Sequence, residues 1–551
     1  MFSHTDNLDA LAEKPNYPSV LGFTYAPETR TPIELKVTGA FPGWICGNLY
    51  RTGPGKFEVE NEKTGKKTAI SHWFDGLARH HKFEIRNGKV TYRSRDGSET
   101  VEKELKERGS FPGMSYGQMP DPCERIWRKL LTVFRPAYNP PNDPTAFVVA
   151  VTPSPGLLLN GSQKQAITMK TDANILQSVD PETLEPIEAF SYARIHPELT
   201  GPVSASHSCR DGNESFNYVL DLGRETVFRI FKHDDRGHGQ ILATIRDAPP
   251  AYIHSLFLTK RFVIVAVWQC DWAWKGLPVL WYRNMVDSFA PWDKDRDTIF
   301  YVISRTGGLV AKYTSPTFFA FHTINSYDDH DGSIILDLAM YPDNSVIENF
   351  FMDRLRSGLS PLTECRWRRF RLRDVPEAPD KVVPTFRAEV VFTGGIDSVI
   401  ELPSVAPPSH WKPYRYAYGI HVNPSTGQNS SKEVGFSQAI IKVDTWALST
   451  PQNTNATPSH PSPHLVWRSD HLFPGEPVLV LRPLSEGMSL DDQPEDDGVL
   501  LLVTLDISRG ASGLLVLDAK TLTEIARAEL PDGQHIPFDV HGMWDMAAAS
   551  S

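Results

Sequence analysis

The sequence predicts an all-β chain arranged as a propeller, and three observations carry that expectation. The first is a set of short apolar runs ended by turn residues: KRFVIVAVW (260–268), GVLLLVTLDI (498–507) and GLLVLDA (513–519). The second is punctuation: 44 prolines and 37 glycines are spread through 551 residues, which leaves little room for long helices. The third is an internal echo. VDPETLEPIEAF begins at Val179, LDAKTLTEIARAEL at Leu517 and a shorter relative, KVDTWALST, at Lys442. Each reads as a strand, an Asp-led turn and a second strand. Such hairpins recurring far apart suit blades around an axis, although two or three unrelated hairpins would leave the same trace. Two surface loops interrupt the pattern, the Pro/Ser/Asn-rich 451–464 and the acidic 489–497. No internal linker divides the chain, so 1–551 is read as one domain with 1–17 as an extended arm.

Composition narrows the class. The chain is 40% hydrophobic and 22% charged, ordinary for a soluble globular protein. A net charge of −11 excludes nucleic-acid binding through a general positive field. Five scattered cysteines without CxxC spacing read as reduced thiols in a cytoplasmic protein. The N-terminal MFSHTDNLDALAEKPNYP carries no signal-peptide core. No apolar run approaches the ~20 residues of a spanning helix. The expectation is a soluble protein, or one attached only to a membrane surface.

One stretch, PDPCERIWRKLLTVFRP (120–136), predicts an amphipathic helix. Ile126, Leu130 and Phe134 fall at i, i+4 and i+8, with Trp127 and Leu131 beside them. Arg125, Arg128, Lys129 and Arg135 surround this stripe with positive charge. A basic amphipathic helix suits a membrane surface and substrate access from it; a stripe packed on the propeller is the alternative. Cys123, at its start, is a candidate for acylation.

Most of the 18 histidines sit among charges or in turns, but four lie in or beside strand-like runs. These are His207 in GPVSASHSCRDG, His254 in PPAYIHSLFLTKRFVIV, His322 in FFAFHTINSYDDHDG and His541 in HIPFDVHGMW. A buried neutral imidazole must find partners for both ring nitrogens. For one such histidine a nearby backbone group suffices. Four suggest more, because the innermost strands of a propeller converge and bring distant residues together. Four imidazoles around one point would bind a divalent metal and leave two octahedral positions vacant, which suits iron(II).

These contexts resemble the metal-ligand motifs of the carotenoid cleavage oxygenase family: YIHS, FFAFH and IPF-x-x-HG. GNLYRTGPGKFEV (47–59), HWFDGLARHHKF (72–83) and FPGEPVLVLRP (473–483) are similar to family stretches too, so the likeness runs from about residue 18 to the last strand. The closest in look are the fungal torulene- and β-carotene-cleaving members. The resemblance implies a seven-bladed propeller with a cap of loops and short helices over an axial metal site. It implies one Fe(II) per chain held by His207, His254, His322 and His541, with these as the catalytic residues. It implies that Asp172, Glu401 and Glu476 accept the outer N–H of three imidazoles, fixing tautomer and raising basicity. Asp172 stands where the family usually has glutamate. One methylene draws the carboxylate back by ~1.5 Å, which predicts a bridging water or a shifted backbone. Two further departures are Ser208 where proline is common, and Asp539-Val540 where Gly-Phe is common.

The implied reaction is oxidative cleavage of a C=C bond in an apolar alkene by dioxygen, giving two carbonyl products. Neither GxGxxG nor GxxxxGK[ST] occurs convincingly to suggest a nucleotide cofactor. A carotenoid or apocarotenoid is the first substrate expectation. The alternative is a stilbenoid or phenylpropene such as resveratrol or isoeugenol, giving aromatic aldehydes. Stilbene cleavers of the family use a lysine beside the first of these acids. Here Thr171 precedes Asp172 and Lys170 lies one further back, which on a strand points to the other face. A third reading, from another class, is a carotenoid- or retinoid-binding propeller without oxygen chemistry.

Overall fold

The computed structural model describes residues 18–109, 114–118, 143–147, 149–158, 165–357, 360–422, 437–448, 464–489 and 492–546. The extended arm at 1–17 and the whole 120–136 stretch, with Cys123, Ile126, Trp127, Leu130, Leu131 and Phe134, lie outside the described residues.

Among the described residues, 35 strands form seven sheets of four to six strands and one two-stranded hairpin. Following the chain, the seven sheets are the blades of a propeller. The ring closes twice. The last strand, His541–Met546, joins the first blade by pairing with Gly47–Lys56, Thr52 opposite His541. The early strand Lys36–Gly39 joins the last blade by pairing with Glu524–Glu529. Strands from the early and late parts of the chain thus close the ring of blades, while each blade keeps an outer edge strand such as Leu465–Arg468.

The apolar runs fall where the sequence places them, as Phe262–Val267, Gly498–Asp506 and Ala511–Asp518. Phe262–Val267 is buried at every residue, as is Ile334–Tyr341. Such uniform runs mark mid-blade strands with neighbouring blades on both faces. Two of the three echoes are hairpins: Leu176–Val179 pairs with Pro186–Phe190, and Ala511–Asp518 with Glu524–Glu529. The third differs. After Ala439–Asp444 the chain forms the short helix Thr445–Leu448, and the pairing strand Leu465–Arg468 comes later. The Asp444 carboxylate accepts from the Trp446 and Ala447 N–H groups and turns the chain into a helix.

Glu99–Arg108 is the longest helix among the described residues. It ends at Gly109, whose φ of 68° gives the left-handed cap that glycine adopts without strain. No helix among them is long and apolar enough to cross a membrane. The short helices Val346–Asn349 and Met352–Leu355 place Phe350 against Trp73 and Phe74. Asp75 accepts from the Tyr116 and Gly117 N–H groups, drawing residues 114–118 over the same face.

Candidate metal centre

Irregular backbone on the inner edges of the blades presents the four histidines. His207 sits in a break between Val203–Ser204 and Cys209–Asp211, which both pair with Glu214–Asp221. His254 precedes Phe257–Leu258, and its carbonyl accepts from the His207 N–H at 3.2 Å. His322 lies in Phe319–Asp328 where the register shifts between Ala320 and Thr323, the signature of a bulge. Such an extra residue re-aims the side chains around it. His541 opens the closing strand. The Ser255 hydroxyl donates to the Phe321 carbonyl and accepts from Thr323 N–H, tying the His254 and His322 segments together.

The result is convergence. One ligand atom from each of the four imidazoles lies within 4.8 Å of every other. The ring centroids of His207 and His541 are 4.2 Å apart, and those of His322 and His541 5.1 Å.

Three imidazoles turn Nδ1 outward to a carboxylate. His254 Nδ1 is 2.8 Å from Asp172 Oδ1, His322 Nδ1 is 2.5 Å from Glu401 Oε2, and His541 Nδ1 is 2.6 Å from Glu476 Oε1. Asp172 therefore reaches its histidine directly, which leaves no room for the bridging water that was one of the two arrangements its shorter side chain predicts. Its carbonyl accepts from Ser204 N–H in the next blade, and Tyr252 Oη donates to its Oδ2. Tyr252 thereby anchors the carboxylate. Glu401 begins a bulged strand in which Leu402 has a positive φ of 48°. Glu401 accepts from Tyr341 Oη and Leu402 N–H as well. Glu476 sits between two short strands that share Gly498–Asp506 as partner, and accepts from Gly542 N–H.

An unforeseen buried ion-pair network backs His541. Arg51 donates to Glu476 Oε2 at 2.9 Å and to both oxygens of Asp539 at 2.8 and 2.6 Å. The departure at Asp539 is thus a partner for Arg51. The stretch GNLYRTGPGKFEV held that signal, since its strand is paired with His541–Met546.

Electrostatics favour a metal-ready state. Burial holds the His207 imidazole well below its ordinary range, and the three neighbouring imidazoles add to this. Burial takes His541 down to about 4, against the pull of Glu476. Burial pushes the Glu401 and Glu476 carboxyls up, but His322 with Tyr341 and Leu402 N–H, and His541 with Arg51 and Gly542 N–H, together leave both below the usual carboxylate range. Neutral imidazoles and ionised carboxylates are the forms that bind metals. The Nε2 atoms of His322 and His541 are buried without a hydrogen-bond partner. A buried unpaired nitrogen costs about 1–3 kcal/mol, and a divalent ion between the rings would satisfy both. The donor set fits such an ion.

Beside the cluster lies an apolar cleft. His254 and His322 line it with Trp73, Phe74, Phe321 and Phe350. Lys170 is absent from its lining; its ammonium donates to the Ser208 hydroxyl. A surface patch that the sequence reading passed over lies on Ala273–Gly276 and Leu277–Tyr282. Trp274 is 83% exposed and Leu277 60%. The aromatic density of DWAWKGLPVLWY was the available signal.

A closed propeller with four inward imidazoles, three of them backed by carboxylates, defines the class of protein. The chain belongs to the carotenoid oxygenase family, since residues 22–545 match the family described as RPE65, retinal pigment epithelial membrane protein. It is 33% identical to the torulene dioxygenase of Gibberella fujikuroi, over 93% of this chain and 91% of that one. It is 32% identical to the carotenoid dioxygenase of Neurospora crassa, over 97% and 94% of the two chains. Among solved structures, a mutant of the Synechocystis apocarotenoid oxygenase superposes with a TM-score of 0.72 at 20% identity, covering 97% of this chain and all of that one.

Proposed function

We propose that this chain is an Fe(II)-dependent dioxygenase that cleaves a C=C bond of a carotenoid or apocarotenoid to two carbonyl products. One observation carries the reading: four inward imidazoles, two with unpartnered Nε2 atoms, border a cleft walled by aromatic rings. The torulene and carotenoid dioxygenases among its fungal relatives point to the same substrate class.

His207, His254, His322 and His541 would hold one iron(II). A bound iron(II) supplies the activation of dioxygen, and both oxygen atoms end in the carbonyls. The protein's own part is positional. Asp172, Glu401 and Glu476 hold the Nδ1 protons of three rings and keep their Nε2 lone pairs directed inward. Phe74, Phe321 and Phe350 offer ring faces to a polyene and exclude water from it. Neither a side-chain nucleophile nor a general acid is required. The whole chain forms one catalytic domain.

Substrate supply from a membrane surface fits two features, the basic 120–136 stretch and the exposed Trp274 and Leu277. Arg283, at the end of that aromatic segment, accepts from Ser115 N–H through its carbonyl, just ahead of residue 119 in the chain. Liposome flotation tests this: a Trp274→Ser, Leu277→Ser double variant should bind vesicles more weakly than the unaltered protein.

The deciding experiment incubates Fe(II)-loaded protein with an apocarotenal, resveratrol and isoeugenol under labelled O2, with aldehydes identified by mass spectrometry. Label in both products of the apocarotenal is the expected result. Aromatic aldehydes without polyene cleavage would reverse the substrate assignment, and no cleavage by the iron-loaded protein would favour a binding protein.

A further inference from the structure

The four imidazoles separate two spaces of opposite character. The apolar cleft takes His254 and His322 as part of its wall. A second cavity of about 630 Å³ is lined by residues of the third to the sixth blades and takes His207. Its wall includes Ser208, Arg210, Asp211, Asn325 and Lys412. These are groups an alkene would have to desolvate at a cost, without hydrogen bonds in return. Water would be at home there, each molecule needing only ~30 Å³.

Two independent observations tie this cavity to the centre. His207 is half-buried, whereas His254, His322 and His541 are buried. His207 also has no carboxylate partner among the described residues; Thr152 Oγ1, at 3.4 Å from its Nε2, is its nearest side-chain hydrogen-bonding group. The one residue of the four that is not fully buried is therefore the one facing the polar cavity. The inner end is polar too, since the Lys170 ammonium is buried there against Ser208.

We propose that this cavity is the aqueous entrance to the metal centre: water reaches the four-histidine point past His207, while the alkene arrives from the opposite, apolar side. The inference rests on the metal reading above and adds a route to it. Opposite approaches let a polyene fill its cleft without first passing through, or drying, the aqueous path.

Manganese(II) provides the test, because bound Mn(II) speeds the relaxation of solvent water protons only when water exchanges at or near it. The measurements are Mn(II) stoichiometry by electron paramagnetic resonance and water-proton relaxation per bound ion. Lys412→Trp and, separately, Pro408→Trp narrow the polar cavity; Leu362→Trp fills the cleft instead. At equal Mn(II) occupancy, relaxation should fall roughly twofold or more in either cavity variant as its water is displaced, and stay unchanged in the cleft variant. Unchanged relaxation in both cavity variants, or a fall confined to Leu362→Trp, would overturn the route. Failure of the unaltered protein to bind one Mn(II) would overturn the metal reading itself, and the route with it.

Discussion

His254, His322 and His541 differ from His207 in what fixes them. Each of the three spends Nδ1 on a carboxylate that is itself held by other donors: Tyr252 on Asp172, Tyr341 on Glu401, Arg51 and Gly542 on Glu476. His207 is held through its backbone N–H to His254 and a long contact to Thr152. The buried rings have no solvent to choose a tautomer for them, so the protein supplies a charged acceptor. The half-buried ring faces a polar cavity and has none. Three rings of the cluster are thus tied to charged acceptors, and the ring on the polar cavity has only a long contact to a hydroxyl.

The largest effect on this contrast comes from removing a ring. His541→Ala should lower metal affinity by more than the roughly 10–100-fold typical of outer partners, read by competition with a chelator. Next is the network behind it. Arg51→Met leaves Glu476 and Asp539 as buried carboxylates without their cation, at a cost of about 3–5 kcal/mol in stability; urea unfolding measures it. Glu401→Gln and Glu476→Gln should each cost roughly 10–100-fold in metal affinity or turnover. Thr152→Val, which removes the long contact to His207 Nε2, should cost less than about tenfold. An equal loss would erase the distinction between the two sides.

The pH response is smaller and spread over the fold. Burial lowers His72, His80, His410 and His541 to about 4. In the unfolded chain these rings titrate near 6.5, so between pH 6.5 and 4 the unfolded state binds more protons. Stability of the metal-free protein should therefore fall as pH drops through that window, and these rings cause no further loss below it. Buried Asp75, raised from 3.8 to about 6, works the other way between those values, one group against four. Urea midpoints at pH 7 and pH 5 check the sign, the lower value being expected at pH 5.

Much of this was legible locally. Runs such as Phe262–Val267 are apolar at every position because both faces of a mid-blade strand are covered. The four histidines stood out by their setting, and local wording ordered them. The third echo misled because its Asp-led turn reads alike whether a strand or a helix follows, and Asp444 capped a helix. Arg51, Tyr252 and Tyr341 were missed as supports of the outer carboxylates, since nothing beside them in sequence names a partner; Arg51 lies 488 positions from Asp539.

The sequence by itself determined an all-β chain and which four imidazoles were candidates to meet, because side-chain chemistry and strand periodicity are local properties. Tertiary structure decided the rest. It let Asp172 reach His254 despite its short side chain and gave Asp539 a cation. It also set one face of the cluster against aromatic rings and the other against a polar cavity. Those outcomes depend on distances between blades, and ring closure fixes such distances where no single segment encodes them.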